Sequence, residues 1–159
     1  MTGSGQREAA IRHALNGRVV FPLRPGGKTP MIRHWKPGDT GGATTNLRTI
    51  GEWWRRHPDA NIGAPTGVTF DAIDFDGPCS DSLLTSQDIE ADFEPLCTVL
   101  TPNGAHVYVE PTGHGNRTGL LKAGCDCERE CAIDFRGVGG YVVAAGSVVD
   151  GNPYIEAVW

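Results

Sequence analysis

Three short segments alternate polar and apolar residues with a period of two, and that alternation restricts how they can fold. They are Phe70-Asp71-Ala72-Ile73-Asp74-Phe75-Asp76, His106-Val107-Tyr108-Val109-Glu110 and Ile133-Asp134-Phe135-Arg136. Successive side chains of a β-strand point to opposite faces, so Asp74 and Asp76 share one face while Ile73 and Phe75 take the other. The same parity groups His106 with Tyr108, and Asp134 with Arg136. Laid side by side, the strands bring together three carboxylates, an imidazole and a guanidinium. That set suits a divalent metal and a phosphate chain.

The rest of the chain supplies a mixed framework. Residues 7–15 read as a helix with Ala10, Ile11 and Ala14 on one side, stopped by Asn16-Gly17, glycine being suited to the left-handed position after a helix. Residues 19–23 read as a short strand. Residues 24–42, dense in Gly and Pro, read as a long loop of the kind that is functional or mobile. Thr45 or Asn46 can cap a second helix running to about Arg56, with Leu47, Ile50, Trp53 and Trp54 as its apolar stripe. A further helix is expected at residues 87–93 and a hairpin around Pro102-Asn103-Gly104. A Gly- and Cys-rich excursion spans residues 113–131, followed by a closing meander. At 159 residues this amounts to one α+β domain, long enough to bury roughly 70% of the surface the unfolded chain exposes.

The net charge of −5 conceals a division along the chain. Residues 1–56 carry ten Lys or Arg against three acids, whereas residues 57–159 carry four against sixteen. An acidic half that holds metal beside a basic half that meets phosphate fits an enzyme acting on polyanions, although charged surface alone produces such splits. No apolar run approaches the ~20 residues that cross a bilayer, and no signal pattern opens the chain, so a cytoplasmic protein without membrane contact is expected. Five cysteines, an odd number, argue against a full disulfide framework.

Each candidate residue has a chemical reading and a plainer one. Asp74 and Asp76, with Asp134, could hold two metals roughly 3.5–4 Å apart, one activating a hydroxyl and one steadying a leaving pyrophosphate; solvated acidic pairs at strand ends are also common. His106, where a turn feeds a strand, could hydrogen-bond a phosphate oxygen or move a proton, or be purely structural. Arg136 could grip phosphate or simply pair with Asp134. Cys125, Cys127 and Cys131, with His114 upstream, could form a Cys₃His structural zinc site. The alternatives there are free thiols or an adventitious disulfide, and the spacing is not the usual Cys-x₂-Cys knuckle.

In order and spacing, several motifs resemble the primase/polymerase (prim-pol) domain of the archaeo-eukaryotic primase superfamily, found in phage and plasmid replication proteins. They are Val20-Phe21-Pro22-Leu23, Gly26-Gly27-Lys28-Thr29-Pro30, Ala43-Thr44-Thr45, Trp53-Trp54-Arg55-Arg56, Asn61-Ile62-Gly63, Asp74-Phe75-Asp76-Gly77, Thr101-Pro102-Asn103-Gly104 with His106, and Ile133-Asp134-Phe135-Arg136 with Gly139-Gly140-Tyr141. The resemblance implies a catalytic core of RNA-recognition-motif-like topology over about residues 67–159, an N-terminal αβ module over about residues 1–66, and an active cleft between them. It implies that Asp74, Asp76 and Asp134 bind Mg²⁺ or Mn²⁺ and that His106 contacts the phosphates of the incoming nucleotide. Arg136, Lys28, Thr44 and Asn61 are carried over as nucleotide contacts. Two departures from the family pattern stand out: Ala144-Ala145-Gly146-Ser147 where a proline is common, and the cysteine-rich excursion before Asp134.

The function expected is template-dependent primer synthesis and extension. A 3′-hydroxyl attacks the α-phosphorus of a nucleoside triphosphate on a single-stranded DNA template. A metal-dependent nuclease and a non-catalytic nucleotide- or strand-binding module are the rivals. The histidine strand lying between the two aspartate motifs favours the polymerase. The expected partners are template, primer, nucleoside triphosphates and a helicase, with the chain a monomeric N-terminal piece of a longer replication protein.

Overall fold

Helix α1, Ser4–Leu15, turns Ala9, Ala10 and Ala14 inward and ends at Asn16 and Gly17, where Gly17 takes φ +78°. Helix α2, Leu47–Arg56, begins at Asn46, whose Oδ1 accepts hydrogen bonds from the Arg48 and Thr49 amides at 3.0 and 3.1 Å. That cap satisfies two amides that have no carbonyl partner in the first turn. Ile50 and Trp54 are its buried positions, and Trp54 donates its indole N–H to the Ala60 carbonyl at 2.9 Å. Leu47 is 44% exposed, so the buried stripe is narrower than the sequence pattern suggests. The computed structural model describes residues 4–77, 94–122 and 131–157; the helix expected at residues 87–93 lies outside them.

The strands form two main sheets. β1 (Phe21–Leu23), β2 (Asn61–Pro65) and β8 (Tyr141–Val143) make a small sheet in the order β1-β2-β8. A six-stranded sheet runs β11-β4-β5-β3-β7-β6, from β3 (Asp71–Asp76), β4 (Cys97–Thr101), β5 (Gly104–Val109), β6 (Arg117–Lys122), β7 (Ala132–Arg136) and β11 (Ile155–Glu156). β9 (Val148–Val149) and β10 (Asn152–Pro153) form a short hairpin, and among the described residues every strand pair is antiparallel. The α+β class expected from the sequence is therefore the one observed.

Parity divides the large sheet as the alternation requires. Ile73, Phe75, Val107, Val109 and Ile133 pack together on one face. Ala72, Val99 and Tyr108, on the other, join the main core with the two helices and the small sheet. That second face also carries Asp74 and His106, so the part of it left uncovered by the helices and small sheet becomes a cleft. Asp71 shows the same rule in reverse. Three residues before Asp74, it falls on the face of Ile73 and Phe75, where it is fully buried and accepts the Thr112 amide and hydroxyl, both at 2.7 Å.

Residues 24–42 form a loop, as expected, but a tethered one. The Met31 amide donates to the Pro22 carbonyl at 3.0 Å, the Arg24 amide to Thr29 at 2.8 Å, and the Ala43 amide to Trp35 at 3.0 Å. Asn61 reaches in from β2 and donates to the Gly27 carbonyl at 2.9 Å. These ties hold Lys28 and Trp35 at fixed places.

Candidate active site

β3 is the centre of the site because both of its neighbours carry functional residues at the same level. Asp74 stands opposite His106 on β5 and opposite Asp134 on β7, giving a row His106-Asp74-Asp134 across three strands. Asp76, one step further along the same face, faces Gly104 and Ala132 and is exposed at the strand tip. The absence of large side chains at those two partner positions leaves the Asp76 carboxylate open to solvent.

Arg136 ties the row together. Its Nη2 donates to Asp134 Oδ2 at 3.1 Å and lies 3.6 Å from Asp74 Oδ2. Asp134 Oδ1 accepts the Gly119 amide at 2.8 Å. That amide is aimed by an irregularity in β6, whose register against β7 shifts between Arg117 and Leu121, with Gly119 at φ +65°. Such a bulge turns a backbone N–H out of the ladder, and glycine allows the left-handed backbone it needs. His106 Nε2 is 3.4 Å from Asp74 Oδ1, while its Nδ1 is buried with no hydrogen-bond partner among the described residues.

The electrostatics follow from burial and crowding. Burial pushes the Asp74 carboxyl above its ordinary pKa, the Arg136 cation pulls it back, and Asp134 raises it again. Asp76 is raised by desolvation and then by the neighbouring Asp74. Burial lowers the His106 imidazole to about 4, so it is neutral at physiological pH. Desolvation, reinforced by the neighbouring carboxylates, thus disfavours the ionised forms of Asp74 and Asp76.

A cleft of about 350 Å³ opens over this row, lined also by Lys28, Asn116 and the Gly139-Gly140-Tyr141 segment. Asn116 Oδ1 accepts the Gly137 amide at 3.0 Å, and its side chain lies so close to Gly140 that a Cβ there would collide with it. Tyr141 donates its hydroxyl to the Lys28 carbonyl at 2.9 Å, locking the loop to β8. Trp35 and Tyr141 also line the cleft and meet edge to face, with ring centroids 4.9 Å apart.

Of the residues singled out from sequence, the structure brings Asp74, Asp76, Asp134, His106, Arg136 and Lys28 to one place. It does not bring Asn61 or Thr44 there. Asn61 is fully buried; besides Gly27 it donates to the Val148 carbonyl at 2.8 Å and accepts the Val148 amide at 2.9 Å, so both of its N–H donors are committed within the fold. Thr44 pairs by backbone with Val20, and its hydroxyl accepts the Asn46 amide at 3.0 Å, ahead of α2. Of the expected zinc ligands, Cys125 and Cys127 lie outside the described residues, His114 is exposed and Cys131 is buried at the start of β7. Trp35, Asn116 and Tyr154 line the cleft without having been marked in the sequence. Gly119 was missed as well, though an isolated glycine in a strand is a bulge signal.

The donor set fits a hard divalent cation. Among the described residues no three carboxylate, imidazole or thiol groups gather as a metal-binding cluster; Mg²⁺ in particular takes one or two carboxylates and completes its shell with water and substrate phosphates. A cation placed there would favour the ionised forms of Asp74 and Asp76, which burial disfavours.

The sequence model of the bifunctional DNA primase/polymerase N-terminal (Prim-Pol) family matches residues 10–157. The chain belongs to this family. No curated protein matches it in sequence. Membership makes it a primase/polymerase nucleotidyltransferase, of a family that acts on DNA and nucleotides and generally uses divalent metals. The Prim-Pol match takes in all the cleft-lining residues named above. Among the described residues, no helix is long and apolar enough to cross a membrane.

Proposed function

We propose that the chain extends, and starts, primers on single-stranded DNA by transferring nucleotides from nucleoside triphosphates. The observation that supports this best is the cross-strand row His106-Asp74-Asp134, whose His106 and Asp74 share one cleft with Lys28 and Arg136 and whose Asp134 pairs with Arg136. A nuclease needs carboxylates for metal; the additional cations suit a substrate with a longer phosphate chain.

In this reading the primer 3′-hydroxyl gives up its proton to solvent, its oxygen forms a bond to the α-phosphorus, the bond from that phosphorus to the oxygen bridging to the β-phosphate breaks, and pyrophosphate leaves. Asp74, Asp76 and Asp134 would hold Mg²⁺ or Mn²⁺, which supplies charge neutralisation at the reacting phosphates and lowers the pKa of the attacking hydroxyl. Lys28 and Arg136 bind the outer phosphates, Arg136 exchanging part of its contact with Asp134 for a phosphate oxygen. His106, held neutral, offers a hydrogen bond to a phosphate oxygen. Asn61 acts at one remove, fixing the Gly27 carbonyl and thereby the loop that presents Lys28. Positioning and charge account for most of the rate. The wider setting is replication of a phage or plasmid genome alongside a helicase, which rests on the family resemblance.

The test is labelled-nucleotide incorporation on primed and unprimed single-stranded DNA with Mg²⁺ or Mn²⁺, comparing the native chain with Asp74→Asn. Products from the native chain alone support the proposal. Template degradation that disappears in Asp74→Asn would put a nuclease in its place, and nucleotide binding without products would point to a binding module.

A further inference from the structure

We infer that Trp35 is the stacking platform for the base of the incoming nucleoside triphosphate, presented by the same loop that carries Lys28. The inference rests on the nucleotide-transfer reading above and adds to it the element that holds the base. The cleft is lined by two chemically different sets of side chains. One is charged, with Asp74, Asp76, Lys28 and Arg136; the other is aromatic, with Trp35 and Tyr141 in contact with each other. A nucleoside triphosphate has the same division, a polyanion joined to a flat apolar ring. With its phosphates drawn towards Lys28 and Arg136, its base is left to the aromatic side. The cleft volume of about 350 Å³ lies within the range of small-ligand pockets.

The indole is placed for this by a stack of supports. Phe21 on β1 is fully buried and lies parallel to Trp35, with centroids 5.0 Å apart and planes 22° apart. Trp35 itself is only half-buried. Since Phe21 covers it from the core, the open side of the indole is turned away from the core and borders the cleft. Tyr141 meets it edge-on and is in turn held by its hydrogen bond to the Lys28 carbonyl. Phe21 can lie this way because its partner in the sheet is Gly63: a Cβ at that position would come within 2.5 Å of the Phe21 ring. A large aromatic group on a polar loop, rigidly backed and left part-exposed at the mouth of a charged cleft, still has apolar surface to cover. A base covers it whichever base it is, because every base has a π-face.

The experiment is calorimetric titration of the native chain, Trp35→Ala, Trp35→Phe and Lys28→Ala with each of the four dNTPs and with inorganic tripolyphosphate, in the presence of Mn²⁺. Trp35→Ala is expected to weaken all four dNTPs about tenfold, as loss of one stacked base predicts, and to leave tripolyphosphate unchanged. Trp35→Phe should recover most of the loss, and Lys28→Ala should weaken dNTPs and tripolyphosphate alike. In steady-state synthesis the Trp35→Ala effect should fall on KM and leave kcat nearly as it was. Equal dNTP affinity in the native chain and Trp35→Ala would overturn the inference and leave the proposed reaction standing. An equal loss of tripolyphosphate would also overturn it, because the loop would then have been disturbed as a whole. Failure of the native chain to bind any dNTP would overturn the proposed reaction and this inference together.

Discussion

Asp74 and Asp134 face each other across adjacent strands, and a single guanidinium nitrogen of Arg136 sits 3.6 Å from one and 3.1 Å from the other. Arg136 therefore occupies the place of a counter-charge for both carboxylates, and it opposes the burial that raises the pKa of Asp74. In the proposed reaction a divalent ion would compete with this arginine for the same negative charge.

That competition predicts the behaviour of Arg136→Ala. In chelator-treated buffer the variant should lose about 1–3 kcal/mol, less than a fully buried broken pair because the site is partly open. Added Mn²⁺ should raise its melting temperature more than that of the native chain. Differential scanning fluorimetry with and without Mn²⁺ reads both effects; equal Mn²⁺ shifts would show that the carboxylates hold no ion in competition with the guanidinium.

Asp76 separates function from stability. It is exposed and destabilised by Asp74, so Asp76→Asn should leave the unfolding free energy within about 0.5 kcal/mol. Primer extension should nevertheless fall at least roughly a hundredfold. Urea melts beside single-turnover assays check this, and a large loss of stability would assign Asp76 a structural role.

His106 and His13 give the pH dependence a direction. Burial lowers His106 from 6.5 to about 4, and it lowers His13 as well. Below pH 6.5 the unfolded chain takes up protons that folded His106 refuses until about pH 4, so stability falls as pH drops through that window. The His106 share reaches roughly 3 kcal/mol across the whole window. Asp74 and Asp76 act oppositely: their raised folded pKa values cost stability as pH rises through them. Urea titrations from pH 7 to 4.5 should show a shallower decline for His106→Asn than for the native chain. Parallel curves would mean that folded His106 accepts its proton near the ordinary pH.

Gly63→Ala tests the support beneath Trp35. The added methyl has to displace the Phe21 ring, an overpacking that costs about 1–3 kcal/mol. It should also weaken dNTP binding although residue 63 touches no ligand. Titration under conditions where the variant remains folded decides this, and unchanged affinity would show that the indole does not depend on its backing.

Asn61→Ala should cost about 2–4 kcal/mol, because it leaves the Val148 amide and two carbonyls without their partners. Its effect on synthesis should follow loosening of the Lys28 loop, appearing as a higher KM for nucleotide. A variant as stable as the native chain but inactive would restore a direct ligand contact for Asn61.

The charged half of the cleft was legible in the sequence because strand parity is local. Within six or seven residues the alternation decides which side chains share a face, and Asp74, Asp76, His106, Asp134 and Arg136 needed only the further step that their strands be neighbours. The same parity put Asp71 on the opposite face. Asn61 was not legible. Its partner Val148 lies 87 residues away, and a polar residue next to a turn-rich stretch reads equally well as a ligand contact or as a buried clasp. Trp35 escaped for a related reason: nothing periodic surrounds an indole in a loop, and only the fold puts Phe21 behind it and Tyr141 beside it. Leu47 continued the α2 stripe in spacing but sits in the first turn, beyond the edge of the packed surface.

β7 belongs to the large sheet and β8 to the small one, and only residues 137–140 separate them. Thr66 clasps that turn at both ends, its hydroxyl donating to the Gly137 carbonyl at 2.6 Å and its amide to Gly140 at 3.0 Å. Cutting the chain between residues 66 and 67 would leave the first piece with Lys28 and Trp35 but no third strand for its sheet, and the second with the aspartates and Tyr141 but neither Lys28 nor Trp35. Neither piece would hold a finished cleft. The two would constitute a complementation pair, in which recovered synthesis reports that the halves have found each other.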